Sequence, residues 1–403
     1  MVELVVIGGG AAGFFGAVTA AKGNRSGKVI LLEKSAVGLS KVRISGGGRC
    51  NVTHACFDPL ELVKNYPRGG KELLGPFHRF QPKNTIEWFL ERGVTLKVEE
   101  DGRMFPVTDN SETIIECLQE EIKKTGVEIR WKQSIKEIKK TGDRFDIFFT
   151  TGEKLECDKI LLTTGSSKEG HALAEGLGHT IVSTVPSLFT FNIPGSPLNE
   201  LAGISVNPVI LKIEGTNLKQ QGPLLITHWG FSGPAALKLS AWGARILHEK
   251  GYEAQLLVNW LPKYSQESLI AHFSQIKKEH ANQSIGQINS STIAKQLWKL
   301  LLSRAEIDST LKLKDIPNKK LSQFAGIIQT DRYNIVGKTT YKQEFVTSGG
   351  VSLDEVNFKT MESKKCSGLY FAGEVLNIDA VTGGFNFQNA WTTSWIAGTT
   401  IAL

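Results

Sequence analysis

No two cysteines in this chain are spaced CxxC, and the five present (Cys50, Cys56, Cys117, Cys157, Cys366) match no zinc-finger pattern. An odd, scattered set fits a reducing cytoplasm better than a disulfide framework. Long apolar runs are also missing, so no membrane span is expected. The one stretch resembling a leader, residues 2–21, has no basic start, contains Gly8, Gly9, Gly10, Gly13 and Gly16, and runs into charge. It reads as strand, turn and helix, which leaves a cytoplasmic protein without a membrane partner as the expectation. There is no internal repeat, no low-complexity tract and no cluster of metal-ligating residues, so no metal is expected.

Glycine is what the chain has in excess: 41 of 403 residues, against about 7% in ordinary proteins. These glycines sit in loops beside apolar runs, where phosphate-cradling turns require them. The net charge is +7, and residues 263–320 hold ten Lys/Arg against five Asp/Glu. A solvated, lysine-rich helical face accounts for that excess more simply than a nucleic-acid surface. Oligomeric state leaves no mark on the sequence.

Strand and helix signals alternate through the first third. Leu4–Ile7 and Val29–Leu32 read as buried strands around a small-residue helix over 11–23. Asn84 and Glu87 resemble a capping box, and Ser111 is placed to cap a helix that Gly126 stops. Short strands are expected near 127–131, 135–139 and 145–150, then Ile160–Leu162. This is a doubly wound α/β pattern with a strand-rich excursion. Residues 187–262 read as short strands separated by Pro and Gly, as in a small barrel. Helical patterns occupy 265–304, strand alternation returns at 334–347, and the last sixty residues resemble the first domain again. The expected division is a discontinuous nucleotide domain (1–187 and 346–403), a barrel-like insertion (188–262 and 322–345) and a helical subdomain (263–321).

Three loops carry the chemistry. In Gly8-Gly9-Gly10-Ala11-Ala12-Gly13, the first glycine permits the tight turn after the strand. Gly10 lets the backbone approach a pyrophosphate, and Gly13 lets helix and strand pack closely. The helix start at Ala11 and Ala12 offers free N–H groups to phosphate. Glu33, twenty residues past Gly13, stands where a carboxylate accepts from ribose hydroxyls. A second loop, Ser45-Gly46-Gly47-Gly48-Arg49-Cys50-Asn51, bares backbone amides suited to a diphosphate, a ribityl chain or a flat ring. The third segment runs from Gly373-Glu374 to the turn Gly383-Gly384 that opens the last helix. There an acid can bind a ribityl chain and a helix dipole can face a flavin's pyrimidine edge. Only one dinucleotide fingerprint is present, so NAD(P)H would bind transiently as a co-substrate, and oxygen would need no site.

These stretches, with Gly102-Arg103-Met104-Phe105-Pro106, Thr227-His228-Trp229-Gly230-Phe231-Ser232-Gly233-Pro234 and Thr347-Ser348-Gly349-Gly350-Val351, resemble the BaiN/YhiN-like FAD-dependent oxidoreductases of bacteria, often labelled aminoacetone-oxidase-like. The resemblance spans essentially the whole chain in the family's order. It implies FAD on a glutathione-reductase-like Rossmann domain with an inserted small β-barrel and a helical subdomain. It further implies ribose binding by Glu33, contacts from the Ser45–Asn51 loop, adenine contact from the backbone near Ile135, and a flavin edge covered by Gly383, Gly384, Phe385, Asn386 and Phe387. Gln388-Asn389 departs from the short polar pair of similar proteins. Lys34, Lys41, Thr164, Gly165 and Asp379 complete the candidate cofactor contacts.

For the reacting face, Arg49, Asn51, Arg103 and His228 are the candidates. Histidine titrates near neutrality without perturbation, whereas Arg103 can equally serve a salt bridge. Cys50 fits a small packed cysteine better than a redox thiol, because Cys56 lies too far along for the usual redox pairing. The expected activity is hydride transfer between flavin N5 and a small molecule, with NAD(P)H or oxygen as redox partner. The alternatives are an RNA-modifying flavoprotein docking through the basic helical insert, and a flavin-bearing regulator without turnover.

Overall fold

Val2–Ile7, Lys28–Leu32, Glu128–Arg130, Lys159–Leu162 and Leu369–Phe371 form one parallel sheet in this computed structural model, which describes residues 2–23, 27–288, 293–339 and 346–403. The spatial order is 128–130, 28–32, 2–7, 159–162, 369–371, followed by the antiparallel strands 362–363 and 356–357 at one edge. Parallel strands covered on both faces carry continuous apolar runs. Val29, Ile30, Leu31 and Leu32 are accordingly all buried, as are Ile160, Leu161 and Leu162.

Register levels the strand ends. Ile7 lies opposite both Leu32 and Leu162, and Leu162 opposite Phe371. Gly8, Glu33, Thr163 and Ala372 therefore emerge side by side at the carboxyl edge, where open α/β sheets bind ligands. The helices Ala11–Gly23 and Phe385–Ile401 pack together against this sheet. A Cβ on Gly398 would come within 2.8 Å of the Gly16 carbonyl oxygen, so the two backbones approach closely. The strand-rich excursion is the antiparallel sheet of 135–141, 144–149 and 154–157.

The chain divides into two compact units, residues 1–187 with 342–403, and residues 188–341. In the second, seven strands form an antiparallel sheet in the order 331–336, 253–259, 205–213, 219–227, 230–232, 190–192, 338–339. The helices Gln266–Glu279, Lys295–Arg304 and Asn318–Gln329 share its core: Leu269, Phe273, Trp298 and Phe324 join Phe231, Leu256 and Trp260 in one buried cluster.

The doubly wound α/β expectation holds, while several local expectations need correction. Residues 187–262 are not all short strands. Two strands there have nine residues each, and Pro234–Trp242 and Ala244–Glu249 are helices. Pro234 at the first turn is compatible with a helix start, and Ala235, Ala236, Leu239, Ala244 and Leu247 are all buried. The capping box pairs Gln81 with Asn84, one turn ahead of Glu87, so the helix starts at Pro82. Ser111 precedes its helix without a capping hydrogen bond and donates instead to the Arg43 carbonyl at 2.8 Å. Of the alternation at 334–347, the part over 340–345 lies outside the described residues.

Candidate functional site

The site grows from the turn after the first strand. A Cβ on Gly13 would fall far inside van der Waals contact with the Gly8 carbonyl, and one on Gly8 would lie 2.6 Å from the Thr163 oxygen. Around Gly10 a Cβ would meet nothing within 4 Å. Two glycines thus close the strand–helix packing, while the third leaves the start of the helix open above its unpaired N–H groups.

Glu33 follows the second strand, half-buried. Its carboxylate accepts from Gly9 N at 2.6 Å and from Ser35 N and Oγ at 2.8 and 2.6 Å. Lys132 N and Gln133 N donate to the Ser35 and Glu33 carbonyls, bringing the segment before Ile135 alongside. Lys34 is exposed and pairs with Glu169 at 2.8 Å.

On the other side of the first strand, Thr164 and Gly165 follow Leu162. The Thr164 hydroxyl is buried without a partner, and a Cβ on Gly165 would sit 3.9 Å from Glu374 Oε2. Glu374 accepts from Lys41 Nζ at 2.6 Å and from Thr347 N at 3.2 Å. Gly373, at φ 76°, donates its amide to Thr393 Oγ1.

The glycine loop breaks out of the helical conformation at residues that tolerate it. Within the helical stretch Ser40–Gly48, Ser45 is extended and Gly46 and Gly47 are left-handed. A Cβ on Gly47 or Gly48 would meet nothing within 4 Å, so both present bare backbone. Asn51 ties this loop to the last helix: its amide nitrogen reaches the Thr53 carbonyl and its oxygen the Gly384 amide, each at 3.0 Å. Phe385 opens that helix, stacked on His54 at 4.6 Å, and its carbonyl accepts from Tyr66 OH at 2.6 Å. Asn386 clasps both backbone groups of Ala380, and Phe387 stacks on Trp391.

Several candidates already have protein partners. Arg49 lies over the Phe105 ring at 4.0 Å and pairs with Glu99 at 2.6 Å; Arg103 pairs with Glu99 at 2.9 Å and Asp101 at 2.7 Å. Asp379 is fully buried between Arg68 and Ser187. Burial pushes its carboxyl upward, and Arg68 opposes that shift. Gln388 is buried among Thr53, Thr85 and Thr392, so the departing pair belongs to the interior. His228 is in the second unit, exposed on the turn between Lys219–Thr227 and Gly230–Ser232. Sequence reasoning missed His54, Tyr66 and Arg68, whose partners are remote in sequence, and Glu99, which pairs locally with Arg103 but joins it to Arg49 fifty residues away.

Cys50 is fully buried at a positive φ, and desolvation pushes its thiol up to about 12 against a weaker Ser45 hydrogen bond. A thiol so far above neutrality is unreactive. In the folded protein at pH 7.5, iodoacetamide is expected to leave Cys50 unmodified by mass spectrometry. Rapid alkylation there would contradict this burial.

The cradle suits a dinucleotide: open amides over a helix start, a carboxylate beside the second strand, and an unpartnered buried hydroxyl past the fourth. Comparison with known proteins agrees. Residues 2–400 match the family described as HI0933-like protein Rossmann domain. The chain is 30% identical to the ribosomal RNA dihydrouridine synthase of Escherichia coli K12, covering 98% of this chain and 96% of that one. It is 26% identical to the 3-dehydro-bile acid delta(4,6)-reductase of Clostridium scindens, covering 99% and 98%. Among solved structures, 3-ketosteroid-delta4-(5alpha)-dehydrogenase from Rhodococcus jostii RHA1 shares the fold at a TM-score of 0.53 and 13% identity, over 100% of this chain and 96% of that one.

Proposed function

The chain belongs to the HI0933-like Rossmann family, and from that membership we propose an FAD-dependent oxidoreductase that saturates a carbon–carbon double bond conjugated to a carbonyl. The observation that carries the cofactor is the meeting of Gly8–Gly13, Glu33, Thr164–Gly165 and Gly373–Glu374 at the carboxyl ends of the parallel strands. Support for the reaction comes from the two relatives: both names denote saturation of a double bond conjugated to a carbonyl, one in a pyrimidine and one in a steroid.

In this reading, the amides at Ala11 and Ala12 and the open backbone at Gly10 hold the diphosphate. Glu33 exchanges its Gly9 and Ser35 partners for ribose hydroxyls, with the backbone near Ile135 beside the adenine. Glu374, steadied by Lys41 and Thr347, meets the ribityl chain. Gly47, Gly48 and the Gly383–Phe387 turn border the ring, which Asn51 keeps in register by joining the two loops. An FAD held by these residues and first reduced by NAD(P)H would supply hydride at N5 to the electron-poor carbon of the substrate and return to the oxidised form. Arg49 and Arg103, tethered by Glu99, supply positive charge for the carbonyl on which negative charge develops. We read the second unit's sheet as a barrel-like insertion, with the helices between its strands as a helical subdomain.

Anaerobic titration with NADH or NADPH tests the reading. The flavin bands should bleach and then recover on adding an enone such as cyclohexenone. If bands bleached by dithionite recover with oxygen but never with an enone or a pyrimidine, the double-bond chemistry is wrong.

A further inference from the structure

Residues 65–69 form a strap along the loop that leads into the last helix, and contacts along its length fasten it. The Asn65 carbonyl accepts from Val381 N at 2.9 Å, and Tyr66 OH donates to the Phe385 carbonyl at 2.6 Å. Arg68 forms an antiparallel backbone bridge with Asp379 and pairs with it again through its side chain. A Cβ on Gly69, whose φ is 78°, would lie 2.5 Å from Ile378 Cγ1, so strap and loop approach closely there.

Most of these tethers only hold the loop in place. The phenol has a second consequence. Phe385 is the first residue of the helix Phe385–Ile401, and its carbonyl shares one peptide unit with the N–H of Asn386. That N–H belongs to the first turn, whose amides have no acceptor within the helix. A hydrogen bond received at the carbonyl polarises the unit and makes its N–H a stronger donor. The Asn386 side chain is committed to both backbone groups of Ala380, and the Gly384 amide is taken by Asn51 at 3.0 Å. Tyr66 itself is buried, with its ring 5.5 Å from Phe77 and 6.3 Å from Phe385. Burial pushes its phenol well above the ordinary tyrosine range, so the hydroxyl remains a donor far beyond neutral pH.

We propose that Tyr66 is a positioning residue that raises the reduction potential of the flavin, by fixing the first peptide unit of the last helix and strengthening its N–H toward the reduced ring. The proposal rests on the reading above, in which the Gly383–Phe387 turn borders that ring. A reduced flavin carries more negative charge at its pyrimidine edge than an oxidised one. A stronger donor at the helix start therefore favours the reduced cofactor over the oxidised. The signature is a change in the ratio of two affinities, which a merely structural tyrosine would not produce.

The test compares Tyr66→Phe with Thr85→Val, both loaded with FAD. Thr85 is fully buried and donates to Gln388 of the same helix at 2.9 Å, but to a side chain and not to a peptide unit. Its loss should destabilise the fold to a similar degree and leave the potential alone. Slow reduction against a dye of known potential gives the midpoint, and melting of the apo-proteins gives the stability. Tyr66→Phe should keep its affinity for oxidised FAD within about twofold and bind reduced FAD about fivefold less tightly, a midpoint lower by about 20 mV for two electrons. A fluorinated tyrosine at position 66, whose hydroxyl is a stronger donor, should move the midpoint upward. The proposal falls if Tyr66→Phe stays within about 5 mV of the unaltered protein, if Thr85→Val shifts the midpoint equally, or if both redox forms lose affinity alike. Should Tyr66→Phe fail to fold, the fluorinated protein decides, and an unmoved or lowered midpoint overturns the proposal. A chain that takes up no FAD would overturn the cofactor reading and the proposal with it. A midpoint that shifts as described, in a protein that no enone reoxidises, would support Tyr66 and remove the double-bond chemistry instead.

Discussion

Gly13→Ala should yield a colourless protein destabilised by more than about 4 kcal/mol, whereas Gly10→Ala should fold normally and lose only its affinity for FAD. The two glycines are three residues apart in one fingerprint, but their surroundings differ. A methyl on Gly13 collides with the Gly8 carbonyl, a backbone atom that can move only if the first helix leaves the first strand. Overpacking in a rigid interior costs about 1–3 kcal/mol, and more when backbone must shift. At Gly10 the methyl meets no protein atom within 4 Å and projects where a pyrophosphate would approach. Thermal unfolding of both apo-proteins, with FAD titration of whichever folds, checks the pair. Equal melting temperatures would mean that the helix and strand are not held at the separation described here.

Arg68→Ala should cost about 3–5 kcal/mol at neutral pH, because it strands a buried carboxylate. Asp379 has no exposed surface; Arg68 and Ser187 are its partners. Burial already raises its carboxyl above the ordinary aspartate range even with the arginine present. Removing Arg68 raises it further, so the folded variant binds a proton that the unfolded chain has released. The sign follows: across the window between the ordinary aspartate value and the raised one, the variant's stability falls as pH rises. Its deficit against the unaltered protein should shrink on acidification from pH 8 toward pH 5. Arg68→Ala/Asp379→Asn should recover part of the loss at pH 8. Denaturant unfolding at several pH values measures all three, and a deficit independent of pH would show that Asp379 is not the stranded charge.

How much of this was legible beforehand differs by element. The cradle was readable because backbone geometry dictates it: a tight turn, a close approach and a carboxylate past the next strand each demand one residue type at one spacing. Thr164 and Glu374 were readable as ends of buried apolar strands. The role of Asp379 was not, since its partners Arg68 and Ser187 stand 311 and 192 residues away and leave no local period. Gln388 was hidden likewise, for Thr53 and Thr85 reach it only once the last helix has packed. Pro and Gly around 222–243 suggested broken strands, yet a proline in a first helical turn and small buried alanines suit the helix found there. Arg49 and Arg103 were visible as cations, but Glu99, which joins them, was not.

Whether this chain holds FAD in the cradle at the carboxyl edge of its sheet decides every role assigned above. The most direct measurement is the absorption spectrum of the purified protein, with the chromophore released by heat and quantified against protein. Flavin bands are expected, with FAD rather than FMN in the supernatant, about one equivalent per chain, and their loss in Gly10→Ala at unchanged apo-protein stability. A folded, colourless protein that takes up no added FAD would contradict those roles.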